Sequence, residues 1–150
     1  MSEANNRTLT IEKTFDAPLK LVWEAWTQPE HVAKWWGPKG MEVKVVAHDF
    51  KVGGQWKYVM MMPNGNEFIS EGEYSEIIEF KKIVTSTNFI PMTMGVTLEI
   101  LFEEKGATTS FIFNCIHPTE EYCQQQEKMG FYNGWGSTFD RLEVFLNSKK

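Results

Sequence analysis

A chain of 150 residues is the size of one ordinary domain and long enough to bury roughly two-thirds of its unfolded surface. Fifteen basic against twenty acidic residues leave a net charge of -5 with no block of like charge longer than two, which argues against a nucleic-acid or anionic-membrane surface. Met1 to Arg7 is polar with no apolar leader, and no run of about 18 apolar residues follows, so the pattern predicts a single cytoplasmic domain over residues 1–150 with no membrane span.

In chain order, Thr8 to Phe15 alternates, with Leu9, Ile11 and Phe15 against Thr8, Thr10, Glu12 and Thr14, the pattern of a half-buried strand. Asp16-Ala17-Pro18 ends it. Pro18 suits a first helical residue ahead of Leu21, Val22, Ala25 and Trp26, and Pro29 opens a second short helix that stops at Gly37-Pro38. From Met41 the period changes to two. Gly53-Gly54 marks a turn, Trp56, Tyr58, Met60 and Met62 share a face, and Pro63-Asn64-Gly65-Asn66 reads as a hairpin loop. Phe68 to Ile78 contains Gly72, the sign of a bulge. Ile83 to Phe89, Val96 to Glu103 and Thr108 to Cys115 bring the expected strands to seven.

The last third carries large apolar residues at helical spacing. Tyr132, Trp135, Phe139, Leu142 and Leu146 step by three, four, three and four, one stripe down a helix. Thr119 suits an N-cap, and Glu120 and Glu121 suit the positive end of the helix dipole. A continuous helix from Glu120 to Asn147 would run roughly 42 Å, longer than a small domain is wide. Gly130, Gly134 and Gly136 oppose it at about 1 kcal/mol each, but burying five large side chains at about 1.5–3 kcal/mol apiece outweighs them. Glycines on such a helix leave room for a close neighbour or for a bound molecule. Short connections mean antiparallel neighbours, so the expected fold is α+β: a seven-stranded curved antiparallel sheet wrapped around a long C-terminal helix, with two short helices between strands one and two.

Chemistry-bearing motifs are absent. There is no GxSxG, no GxxxxGK[ST], no HExxH and no clustered His/Cys set, so neither a cofactor nor a metal is expected. Cys115 and Cys123 stand in no ligand or framework spacing and read as reduced thiols. His31, His48 and His117 lie in different elements. His117, at the strand-to-helix corner, is the one placed where a cavity mouth would lie. Glu71 and Glu73 share a strand face, for which solvation is the simpler reading. Met60, Met92, Met94 and Met129 are either a pliable apolar wall or core filler.

Ala17-Pro18, Val22-Trp23-Glu24-Ala25-Trp26-Thr27, Pro29-Glu30 and Trp35-Trp36-Gly37-Pro38, followed by Gly53-Gly54 with Trp56 and Tyr58, Gly72-x-Tyr74 with Glu76, and Gly134-Trp135 with Leu142, resemble the signature of the SRPBCC superfamily. The resemblance is nearest to heat-shock protein 90 ATPase activator homologues. It implies a helix-grip fold with a cavity between sheet and helix. Three uses of that fold compete. Binding of a small, largely apolar molecule leads, with Trp36, Trp56, Tyr58, Met60, Phe89, Met94, Phe113, His117, Met129, Gly134 and Trp135 as the expected lining. A chaperone-regulating interaction module is the second, and a cyclase- or hydrolase-type enzyme, which lacks an evident acid-base pair here, the third. The assembly expected is a monomer or homodimer.

Overall fold

The computed structural model describes residues 7–36, 42–61, 65–90 and 93–149. Its elements are β1 (Thr8–Phe15), α1 (Leu19–Thr27), α2 (Pro29–Trp35), β2 (Val43–His48), β3 (Gln55–Met61), β4 (Glu67–Ile78), β5 (Lys82–Ile90), β6 (Thr93–Lys105), β7 (Thr108–Ile116), α3 (Glu120–Lys128) and α4 (Phe131–Ser148). The seven strands form one curved open sheet in the order β1-β7-β6-β5-β4-β3-β2. Every neighbouring pair is antiparallel. β1 and β2 are its two edges, so α1 and α2 carry the chain from one edge to the other across the inner face.

Period-two patterning decides what that face contains. On β7, Thr109, Phe111, Phe113 and Cys115 are buried while Ser110, Ile112 and Asn114 are only half-buried. On β5 the inward set is Ile83, Thr85, Thr87 and Phe89. At Gly72 the backbone of β5 comes so close that a Cβ would overlap the Ser86 carbonyl oxygen, and the ladder shifts register two residues further on, between Tyr74 and Glu76, as expected of a strand glycine beside a bulge.

The single C-terminal helix expected over Glu120–Asn147 is instead two. α3 starts as its sequence predicts, with Thr119 Oγ1 accepting from the Tyr122 N–H at 3.0 Å. It ends at Met129, and Gly130 takes φ +105°, a left-handed conformation in which glycine alone is unstrained. The apolar stripe shifts accordingly. Phe131, Phe139, Leu142, Phe145 and Leu146 are buried and Trp135 half-buried, but Tyr132 is 45% exposed. At 100° per residue the buried arc centres on Phe131 and Leu142, which leaves Tyr132 about 90° to one side. Phe139 then stands edge-on to Phe111 and Phe113, both at 5.1 Å between ring centroids.

Candidate functional site

A cavity of about 20 Å³ lies between the inner sheet face and the two short helices, with Trp26, Val32 and Trp36 above it and Trp56, Tyr58, Tyr74, Ile83, Thr85, Leu98 and Ile100 beneath. Each wall residue has an identifiable cause. α1 buries Val22, Trp23, Ala25 and Trp26, and the Trp26 ring stacks on Phe111 at 5.7 Å and meets the edge of Trp35 at 4.7 Å. Trp35 is fixed in turn by donating to the Ala25 carbonyl at 2.9 Å. α2 ends at Trp35, and the extended backbone of Trp36 (φ -65°, ψ 137°) sends its ring down onto Tyr58 at 5.1 Å, Trp56 at 5.7 Å and Trp135 at 5.6 Å. Trp35 and Trp36 therefore both point inward, because the helix ends between them.

Two indoles donate to hydroxyls on the sheet. Trp36 Nε1 reaches Ser70 Oγ at 3.2 Å, and Trp56 Nε1 reaches Thr85 Oγ1 at 2.8 Å. A third group closes the edge. His48 Nε2 lies 2.8 Å from the Thr27 carbonyl, which can only accept, so this nitrogen carries the proton in the neutral ring. Nδ1 then accepts from the Tyr58 hydroxyl at 2.6 Å. Burial pushes both phenols upward, Tyr58 well above its ordinary value with the neighbouring Tyr74 adding to the effect. Burial lowers His48, partly offset by its bond to Thr27 and by the charges of Glu30 and Asp49. The wall is thus uncharged at neutral pH and held together by hydrogen bonds rather than ion pairs.

Of the eleven residues expected to line a ligand site, Trp36, Trp56 and Tyr58 border this cavity. Met60, Phe89 and Phe113 are buried in the surrounding core, and Trp135 packs on Phe113 at 4.5 Å and Phe89 at 5.4 Å. Three others lie away from it. Met94 is 47% exposed at the start of β6, where its N–H bonds the Tyr122 hydroxyl. Met129 is 57% exposed because it caps α3 at the helix break. Gly134 is exposed and an added Cβ would touch nothing within 4 Å, so its missing side chain shapes no cavity. His117 is buried, but as a pin for the residue ahead of β1: Nδ1 lies 3.0 Å from the Arg7 carbonyl, and Nε2 lies 3.8 Å from Cys115 Sγ. Cys115 and Cys123 are buried free thiols, and burial pushes Cys115 up to about 12. Glu71 and Glu73 lie on the face opposite Ser70 and Tyr74, the first half-buried and the second exposed. Met92 lies outside the described residues.

Sequence reasoning missed Trp26, Tyr74, Thr85 and His48. The usable signal was polarity in the wrong phase, since Thr85 and Thr87 stand between Ile83 and Phe89 on the same buried face of β5. Among the described residues no group of three or more His, Cys, Asp or Glu side chains could hold a metal ion, and no helix is long and apolar enough to cross a membrane.

Comparison with known proteins gives the same architecture. The sequence profile of one family, described as Activator of Hsp90 ATPase homolog 1-like protein, matches residues 16–147. The chain is similar to a crystal structure of a protein from Nitrosomonas europaea, with 28% identity, a TM-score of 0.83 and 96% of each chain covered. It is also similar to a protein from Staphylococcus epidermidis solved by NMR, with 26% identity, a TM-score of 0.83, and 96% of this chain and 92% of that one covered. A crystal structure from Mycobacterium smegmatis shares 25% identity at a TM-score of 0.87, covering 100% of this chain and 97% of that one. No curated protein matches.

Proposed function

The chain belongs to the Activator of Hsp90 ATPase homolog 1-like family, and from that premise we propose that it binds a small, largely apolar molecule between the sheet and the helices laid across it. One observation carries this reading: beside the cavity the inner sheet face sets the hydroxyls of Ser70 and Thr85 among aromatic rings, where they accept from the indole N–H groups of Trp36 and Trp56. Polar groups in a core destabilise unless fully paired. A core built only for packing has no need of them, whereas an apolar site with a few placed polar groups is the usual composition of a ligand pocket.

A cavity of about 20 Å³ is far below the roughly 300–1,000 Å³ of typical ligand sites. Binding therefore requires the wall to yield, and α2 is its weakest part: seven residues long, held on the sheet side by the Trp36–Ser70 bond and on the other by Arg141. The test is a screen of fatty acids, flavonoids and polyketides, read by thermal shift and tryptophan fluorescence. A binder at a hundredfold excess over Kd raises stability by about 2.7 kcal/mol. Absence of any shift across the screen removes the binding reading.

A second reading, a chaperone-regulating interaction module, draws on the exposed apolar side chains Met94, Met129 and Tyr132. Stimulation of a heat-shock protein 90 ATPase by the purified chain, abolished by Met129→Glu, is the result that would favour it.

A further inference from the structure

We propose that the indole N–H of Trp26 is the recognition donor of this cavity, and that the ligand is a neutral, flat molecule presenting one carbonyl-type oxygen to it. The inference rests on the ligand-binding reading above. Among the described residues, Trp26 Nε1 is a fully buried donor with no hydrogen-bond partner, on a side chain only 6% exposed that forms part of the cavity wall. An indole N–H withdrawn from water without an acceptor is destabilising, and native proteins rarely leave one so.

The other polar groups of the wall are occupied. Trp36 donates to Ser70, Trp56 to Thr85, and Tyr58 to His48, the Tyr74 hydroxyl is hydrogen-bonded to Tyr58, and the Thr85 hydroxyl lies 2.7 Å from the Ser86 carbonyl. The wall therefore offers one donor and needs one acceptor in return. No Lys, Arg, Asp or Glu lines it, so an ion would enter without a counter-charge, which excludes charged ligands. Five of the ten lining side chains are tryptophan or tyrosine, and ring edges and faces favour a flat partner. The volume of about 20 Å³ exceeds the roughly 10–15 Å³ that one water oxygen needs, so the acceptor atom already fits while the body of the ligand takes space that α2 gives up.

Acetophenone and α-methylstyrene are matched probes, since they differ only in an oxygen where the other carries a CH₂. Affinities are measured for the wild type and for Trp26→Phe, together with the indole signals in a ¹H–¹⁵N spectrum of the wild type. The expected result is that acetophenone moves the Trp26 N–H signal downfield and binds about fivefold more tightly than α-methylstyrene, the gain of one hydrogen bond, with the preference lost in Trp26→Phe. Equal binding of the two probes, or a Trp26 signal that does not move, overturns the proposal and leaves the binding reading intact. A Trp26 signal already shifted upfield and unresponsive means that a neighbouring ring face occupies the N–H, and likewise overturns it. If neither probe binds the wild type, the proposal falls, and the binding reading is decided by the wider screen. The wild-type spectrum decides even where Trp26→Phe does not fold.

Discussion

Arg141 Nη1 donates to the carbonyl oxygen of Trp36 at 3.1 Å, so the C-terminal helix holds the residue whose ring closes the cavity. Nη2 reaches the Lys34 carbonyl at 3.2 Å, and the fork thus satisfies two carbonyls at the end of α2 that no intrahelical N–H can reach. Arg141→Met keeps the stem and loses the fork. Charge-assisted bonds of this kind contribute about 1.5–3 kcal/mol, toward the low end here because the side chain is half-exposed. Urea denaturation should show that loss, and ligand association should become faster as α2 is released. Slower association would mean that α2 does not move.

The three C-terminal glycines should respond in opposite senses. Gly130 at φ +105° would strain any Cβ, so Gly130→Ala should destabilise by about 1 kcal/mol or more. Gly134 and Gly136 are helical, with open space where a methyl group would stand, so alanine at either should stabilise by about 0.5–1 kcal/mol. Thermal melts of the three variants check this.

Phe80 is the one described non-glycine residue with positive φ, at 64°, and its ring lies 5.6 Å from Trp23. The left-handed backbone costs roughly 1–2 kcal/mol, and packing of a ring that is 37% exposed offsets part of it. Phe80→Gly should therefore change stability by less than about 1 kcal/mol, whereas Phe80→Val, which keeps the strain and loses the ring, should cost about 2 kcal/mol. Denaturant midpoints of the pair distinguish strain from packing.

His48 and His117 are both lowered from their ordinary value, by burial first and in spite of bonds to Thr27, Arg7 and Cys115 that act the other way. Between the folded and unfolded values the unfolded chain takes up protons that the folded protein refuses. The stability they protect is fully present above about pH 6.5 and is lost as the pH falls through the depressed folded values. Urea midpoints should drop between about pH 7.5 and about pH 5.5, and His48→Gln and His117→Gln should each shrink that drop. An unchanged drop in both variants would place acid sensitivity elsewhere.

Leu142 is fully buried, and Leu142→Ala should cost about 2–5 kcal/mol in urea denaturation. A loss under about 0.5 kcal/mol would remove α4 from the core.

The strands and the two short helices were legible because alternation and helical spacing report burial directly. The helix break was not, since Gly130, Gly134 and Gly136 look alike in sequence and only the first bears a positive φ. The site was half legible. Trp36, Trp56 and Tyr58 follow from strand phase and the bulky stretch at the end of α2. Met129 and Gly134 were drawn in by assuming that the chain past Thr119 ran straight along the sheet, and the break at Gly130 moves them out; Met94 stands at the start of β6, where its side chain is exposed. Trp26 was legible as core, but that its N–H lacks an acceptor depends on distances that no spacing encodes.

β1 has a single neighbour in the sheet, and in that pairing Thr8 lies opposite Ile116 and Phe15 opposite Thr109. The first strand to be synthesised must therefore wait for the last. At about 5–20 residues per second, the interval is on the order of ten seconds. Throughout it the apolar edge of Leu9, Ile11 and Phe15 has no ladder to join, and the closing contact is among the least local in the fold, the kind that slows folding most. Docking of β1 thus comes late in biogenesis, and substitutions at Leu9 or Phe15 should reduce the yield of newly made protein more than the stability of protein already folded.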